Sequence, residues 1–220
     1  MRVCLIHGST QSPLGWDLLV HELMAWGAEV IAADLPTDRP DEGADFFARE
    51  VASQIPPGKP PIVLAHSAAG LILPVVASHI EVERLVYLAA VIPLPGSSFV
   101  TQFKSAPEMF HPDWPGKDPT RDHDAARQFL FHDCDERIQA WALTTLRLWA
   151  SSQVLTEPCP LRHMPEVPTT YISARQDRTI NPEWWERAAE ARLGVKPTSI
   201  DSGHAPHVSR PRELAKLIIG

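Results

Sequence analysis

Residues 61–77 read Pro-Ile-Val-Leu-Ala-His-Ser-Ala-Ala-Gly-Leu-Ile-Leu-Pro-Val-Val-Ala, an apolar run that meets a serine and resumes as an apolar run. Pro61 to Ala65 predicts a strand buried on both faces, because such a strand shows no alternation of polar and apolar residues. The residues after Gly70 predict an apolar helix reaching about His79. A serine at such a strand-to-helix junction sits on a strained turn, with its hydroxyl projecting beyond the sheet. The residues two before and two after it must be small, because they approach neighbouring backbone closely. Here they are Ala65 and Ala69, with Gly70 next. Read without chemistry, Ser67 is the N-cap of a buried helix.

Outward from this stretch the chain alternates. Arg2 to Ile6 and Glu29 to Leu35 predict strands, the second stopped by Pro36. Between them Trp16, Leu19, Leu23 and Trp26 recur at helical spacing, closed by Gly27. Residues 43–55 repeat that spacing through Phe46, Phe47, Val51 and Ile55, and Arg84 to Ile92 predicts a fourth strand. Residues 93–122 read as a Pro-, Gly- and Asp-rich loop, and 123–150 as helix with Ile138, Trp141, Thr145 and Trp149 on one stripe. Residues 157–168 are Pro-rich again. Strands at Thr169–Ala174 and Pro197–Ile200 and helices at Pro182–Leu193 and Arg212–Ile219 complete the pattern. Short apolar strands alternating with helices imply an α/β fold, a mainly parallel sheet of about six strands with helices on both faces. Residues 1–93 and 166–220 form the expected core. Residues 94–165 form a helical cap inserted after the fourth strand.

Composition narrows the function classes. The chain has 220 residues, 44% hydrophobic and 21% charged, with formal net charge −7. No basic cluster is present to neutralise phosphates, so nucleic acid is not an expected partner. No apolar run approaches the roughly 18–20 residues of a membrane span. The three cysteines, Cys4, Cys134 and Cys159, have no motif spacing, and the N-terminus reads as a first core strand rather than a signal peptide. A cytoplasmic location is the expectation. Proline numbers 22 of 220, about twice average usage. The prolines gather at 56–61, 93–119 and 158–168, the last two bracketing the insertion.

Ligands of open α/β sheets bind beyond the carboxyl ends of the strands. There the sequence places His7-Gly8-Ser9, Ser67, Asp177 and His204, after the first, third, fifth and sixth strands. A serine hydroxyl is a poor nucleophile unless a histidine takes its proton and a carboxylate orients that histidine. His207 competes with His204 but stands closer to the closing helix. Asp34 is an alternative orienting acid, and Asp201 is too near His204 in sequence to come from a separate strand end. A tetrahedral oxyanion also needs two N–H donors about 3 Å away, expected from the backbone of Ala68 and Ser9. His132-Asp133-Cys134-Asp135 and His123-Asp124 look rich in ligands. Mixed hard and soft donors at adjacent positions do not converge on one ion, so no metal is expected.

The whole resembles a compact α/β-hydrolase, more narrowly the methylesterase/hydroxynitrile lyase branch. The resemblance rests on His7-Gly8 with Trp16-Asp17-Leu18-Leu19, on Ala65-His66-Ser67-Ala68-Ala69-Gly70, on Asp177-Arg178-Thr179-Ile180-Asn181-Pro182, and on Gly203-His204 with Val208 to Leu214. It implies a Ser67–Asp177–His204 triad that hydrolyses a small-molecule ester without cofactor, with Ser9 and Ala68 as oxyanion donors. Hydroxynitrile lyases of this branch carry a lysine directly after the catalytic histidine. Here Ala205 stands there, which disfavours cyanohydrin cleavage. A receptor that keeps the triad, or C–C or lactone cleavage by it, are the other readings. His7, Trp16, Phe129, Trp141 and Trp149 are pocket candidates, and cap-to-core packing is the alternative reading of the aromatic ones.

Overall fold

The structure, a computed structural model, describes residues 1–149 and 151–220. Strands β1 (Arg2–Ile6), β2 (Glu29–Ala33), β3 (Ile62–His66), β4 (Arg84–Leu88), β5 (Thr169–Ala174) and β6 (Thr198–Ile200) form one parallel sheet in the order β2-β1-β3-β4-β5-β6. Cys4 of β1 pairs with Ile31 on one side and Val63 on the other. Every residue of β1 and β3 is buried, which is why neither alternates polar with apolar residues. At the edge, β2 is largely half-buried and keeps a partly polar sequence.

The helices are α1 (Asp17–Ala25), α2 (Ala44–Ser53), α3 (Leu73–Val76), α4 (Phe99–Ser105), α5 (His123–Ala125), α6 (Glu136–Thr144), α7 (Ser152–Thr156), α8 (Pro182–Leu193), α9 (Pro206–Ser209) and α10 (Pro211–Ile219). The chain runs from β1 outward to β2, then back past β1 to β3. With right-handed crossovers, this reversal sends α1 to one face and α2, α3 and α8 to the other. α1 accordingly packs on α10, and α2 on α3. The reversal leaves a crevice between the carboxyl ends of β1 and β3, where chains leave in opposite directions.

Four expectations are corrected. The apolar helix after Ser67 is a 3₁₀ turn, Ser67–Leu71, followed by the separate α3. Pro74 lacks the N–H that a continuous helix would use. The strand expected to reach Ile92 ends at Leu88, because Ala89 turns to φ +42°. Within 93–122, read as loop, Ser98 caps α4 by accepting from the Thr101 N–H at 3.1 Å. The helix expected over 123–150 is broken into α5, a π turn at Ala126–Leu130 and α6, while Ala150 lies outside the described residues. Leu146 then pairs antiparallel with Gln11, so Trp149 does not share the α6 stripe.

The segment between β4 and β5, expected to be a cap insertion, shares the apolar core of the sheet. Met109, Trp149 and Val154 belong to the same buried cluster as β1, β3 and β4. A smaller cluster joins Ala126, Leu130, Phe131, Ala142 and Leu143 to Ala205 and Val208 from the chain after β6. Among the described residues no helix is long and apolar enough to cross a membrane.

Candidate active site

Strand β3 ends extended at His66 (φ −101°, ψ 140°) and turns abruptly at Ser67, whose φ is +55°. For a residue with a Cβ this left-handed conformation costs on the order of 1–2 kcal/mol. Surrounding contacts impose it. The Val91 N–H donates to the Ser67 carbonyl at 3.0 Å. A Cβ at Gly70 would overlap the Val91 carbonyl oxygen, so position 70 has no room for a side chain. The bend at Ala89 brings Val91 over the turn.

Two loops then converge on Ser67. His204 Nε2 lies 3.0 Å from Ser67 Oγ, and His204 Nδ1 lies 2.7 Å from Asp177 Oδ2. The other carboxylate oxygen of Asp177 accepts from the N–H groups of Thr179 at 2.7 Å and Ile180 at 3.0 Å. The acid is thus held on both sides, with its side chain 1% exposed. His66 Nε2 donates to the His204 carbonyl at 2.8 Å, tying the residue before Ser67 to the histidine opposite it. Of the two histidines weighed from sequence, only His204 meets the serine.

The loop after β1 closes the third side. A Cβ at Gly8 would lie 3.0 Å from both Ser67 Cβ and His66 Nδ1, so the backbone of 8–9 passes directly beside the serine. Ser9 and Ala68 therefore stand on the two backbone segments that flank the hydroxyl. The Ser9 carbonyl accepts from the Trp149 N–H at 2.6 Å.

Asp34 is engaged elsewhere. Arg147 grips it, with Nη1 donating to Oδ2 at 3.3 Å. His7 and Arg147 beside it hold its carboxyl well below the usual carboxylate range. Asp201 accepts from Gln176 Nε2 at 2.7 Å. Neither carboxylate is bonded to His204.

The aromatic candidates separate. Trp16 is buried, with its ring 4.3 Å from His207 and 6.3 Å from His66. Trp149 is buried edge-on to Phe47, and Phe129 packs on His111 and Trp114. Trp141 lies half-buried on the small second cluster. His7 is fully buried, and its Nε2 accepts from the Leu35 N–H at 3.2 Å. Burial, reinforced by the neighbouring His204, pushes the His207 imidazole down to about 3. His66 is lowered by the same two causes, so both rings stay neutral beside the hydrogen-bonded chain. Among the described residues no group of three His, Cys, Asp or Glu is placed to hold a metal ion. A concave surface of about 730 Å³ along Lys59, Pro60, Ile80 and Glu83 is at the amino ends of β3 and β4, opposite this chemistry.

A strained serine after β3, a buried acid after β5 and a histidine after β6 are thus bonded in series at one end of the sheet. Residues 5–217 match the family described as the Alpha/beta hydrolase family. The chain belongs to the alpha/beta hydrolase family. Alpha/beta hydrolase nvfD of Aspergillus novofumigatus is 21% identical to it over 241 residues, covering 98% of this chain and 94% of that protein. Among solved structures this alpha/beta hydrolase is similar to a pyrethroid hydrolase from Sphingobium faniae JZ-2 (TM-score 0.80, 24% identity, covering 100% and 96% of the two chains). It is also similar to the methylesterase MES16 from Arabidopsis (TM-score 0.78, 18% identity, 100% and 97%). These likenesses are of fold.

Four further residues contribute to the site in roles not read from the sequence. His66 reads as part of the serine turn, and Val91 as part of a strand. His132-Asp133 was weighed only as a ligand cluster, whereas His132 Nε2 donates to the Gln176 carbonyl at 2.9 Å and Asp133 Oδ2 accepts from the Gly203 N–H at 2.8 Å. The concentration of His and Asp in one turn was the available signal.

Proposed function

We propose that this alpha/beta hydrolase is a serine esterase that cleaves a small carboxylic ester through an acyl-enzyme. The observation that carries the reading is the unbroken chain Ser67 Oγ–His204–Asp177, at 3.0 and 2.7 Å, mounted on a strained turn. The names of similar proteins support it, since they are a pyrethroid hydrolase, a methylesterase and a polyneuridine aldehyde esterase.

Ser67 Oγ attacks the ester carbonyl while His204 Nε2 takes its proton. Asp177, saturated by two N–H donors, holds the imidazole in the tautomer with the proton on Nδ1 and stabilises the imidazolium. The negative charge that develops on the carbonyl oxygen is met by the N–H groups of Ser9 and Ala68. His204 returns its proton to the leaving alcohol. Water then enters and attacks the acyl carbon as His204 takes its proton; the bond to Ser67 Oγ breaks, the acid leaves, and His204 gives that proton back to Ser67 Oγ. Every step uses groups of this chain and water.

Ala205 sharpens the reaction type. It is fully buried in the small apolar cluster and offers no cation for a departing cyanide. The deciding experiment compares wild type and Ser67→Ala on p-nitrophenyl esters of graded acyl length. Turnover in wild type and a loss of ~10³-fold or more in the variant are expected for removal of the nucleophile. A wild type no faster than Ser67→Ala overturns the reading and leaves a receptor-like protein.

A further inference from the structure

The inserted segment touches the loops of the acid and of the base at one short turn. Between the π turn and α6, residues 131–135 fold back on themselves. The Cys134 N–H donates to the Phe131 carbonyl at 3.0 Å, and Gln139 Nε2 donates to the carbonyls of Phe131 and Cys134 at 3.0 and 3.2 Å. Asp135 caps α6 by accepting from the Ile138 N–H at 2.8 Å. Phe131 is fully buried in the cluster that also holds Ala205 and Val208. The turn is therefore anchored before it makes any contact with the site.

From this anchored turn two adjacent side chains reach out. His132 bonds the carbonyl of Gln176, the residue before Asp177. Asp133 bonds the N–H of Gly203, the residue before His204. The Asp133 side chain is only 4% exposed, with the Arg210 guanidinium 3.9 Å away. A buried carboxylate accepting a backbone N–H is among the stronger hydrogen bonds a protein makes. Gly203 fits beneath it with no space to spare: a Cβ there would lie 2.7 Å from Asp133 Oδ1 and 2.8 Å from His132 Nε2. The two loops are also bonded to each other, with the Gln176 N–H donating to the Ser202 carbonyl at 2.9 Å. Position 176 and position 203 thus share one clamp, and the residue following each carries the chemistry.

We propose that His132 and Asp133 are positioning residues, which fix the separation of Asp177 and His204 from the inserted segment. The inference rests on the serine-esterase reading. It makes the insertion a brace on the hydrogen-bonded chain as well as a cover over it. Misplacing a catalytic group by about 1 Å can cost ~10²-fold in rate, so small shifts of either loop are costly.

The test measures ester turnover and the rate constant for labelling of Ser67 by a fluorophosphonate, in wild type, Asp133→Ala, Asp133→Asn, His132→Ala and His132→Gln. Asp133→Ala is expected to lose ~10- to 100-fold in both kcat and labelling rate per active site, with KM changed by less than ~3-fold. Asp133→Asn, whose amide oxygen still accepts from Gly203, is expected to recover most of that loss. His132→Ala is expected to lose less, and His132→Gln to be partly rescued by its amide N–H. A purely structural role predicts something different: fewer labelled sites, each labelled at the wild-type rate. That result, or wild-type kinetics in Asp133→Ala and His132→Ala, overturns the proposal. Should Asp133→Ala fail to fold, the other three variants decide the matter by the same criterion. A wild type that neither turns over esters nor labels at Ser67 removes the esterase reading and this proposal with it. Labelled wild type with unaffected variants removes this proposal alone.

Discussion

The sheet's strand ends and the inserted segment are two halves of one site, built by opposite means. At the strand ends, each functional group follows directly from the element that carries it: Ser67 from β3, Asp177 from β5, His204 from β6. Their positions follow from the regular parallel sheet. In the insertion, position comes from contacts with distant chain. Leu146 pairs with Gln11, Trp149 with Ser9, His132 with Gln176 and Asp133 with Gly203. The first half places groups by local rule, and the second holds them by long-range hydrogen bonds.

That contrast can be broken at the two acids. Asp177 belongs to the strand ends, while Asp34 is gripped by Arg147 of the insertion. Asp177→Asn is expected to lower kcat ~10⁴-fold, the scale for a histidine left in the wrong tautomer. Asp34→Asn is expected to stay within a few-fold of wild type, because a partly exposed ion pair contributes little. Steady-state kinetics on one ester checks both, and equal losses would merge the two halves.

The glycines sharpen the contrast in stability. Gly70 lies beneath Val91, with no room for a methyl group, whereas Gly116 of the insertion has open space and a φ of +89°. Gly70→Ala is expected to cost more than ~2 kcal/mol by overpacking. Gly116→Ala is expected to cost about 1 kcal/mol, from backbone strain alone. Urea unfolding of both variants gives the order, and the reverse order would overturn the packing account of the serine turn.

Acid provides the finest probe. His207 is lowered from its ordinary value of 6.5 to about 3 by burial and by His204. The unfolded chain therefore binds a proton at this position between pH 6.5 and about 3, while the folded chain does not. Stability is lost as pH falls through that window, with His66 acting in the same direction. His207→Phe, set against Trp16, is expected to show a smaller fall in Tm between pH 7.5 and 4.5 than wild type. An unchanged fall would assign the acid lability to other groups.

The sequence made the first half legible and the second barely so, for a physical reason. Buried parallel strands are largely apolar runs, so five of the six strands are bounded at both ends within two residues, and β1, β5 and α8 match at both ends. Ser67 is visible because it directly follows such a run, and Asp177 and His204 because each stands within four residues of a strand's end. β4 was read too long because Ala89, an unremarkable residue in a strand, is bent by what it must cover. The insertion resisted because its segments take their conformation from partners far along the chain. Nothing between 145 and 149 marks a departure from helix until Gln11 is beside Leu146. Likewise, His132 and Asp133 bond to backbone 44 and 70 residues away, so their identity suggested ligands while their partners were invisible.

The shared core has a consequence for engineering. Met109, Trp149 and Val154 complete the packing against the sheet, and the 131–135 turn reaches the loops that carry Asp177 and His204. The segment between β4 and β5 is therefore not expected to exchange as a cassette. Grafting a foreign one to change selectivity would strip apolar cover from the sheet and release two loops at once. Selectivity in this scaffold is better altered by point substitutions on the inner wall, with Met109, Phe131, His132, Asp133, Trp149 and Val154 left in place.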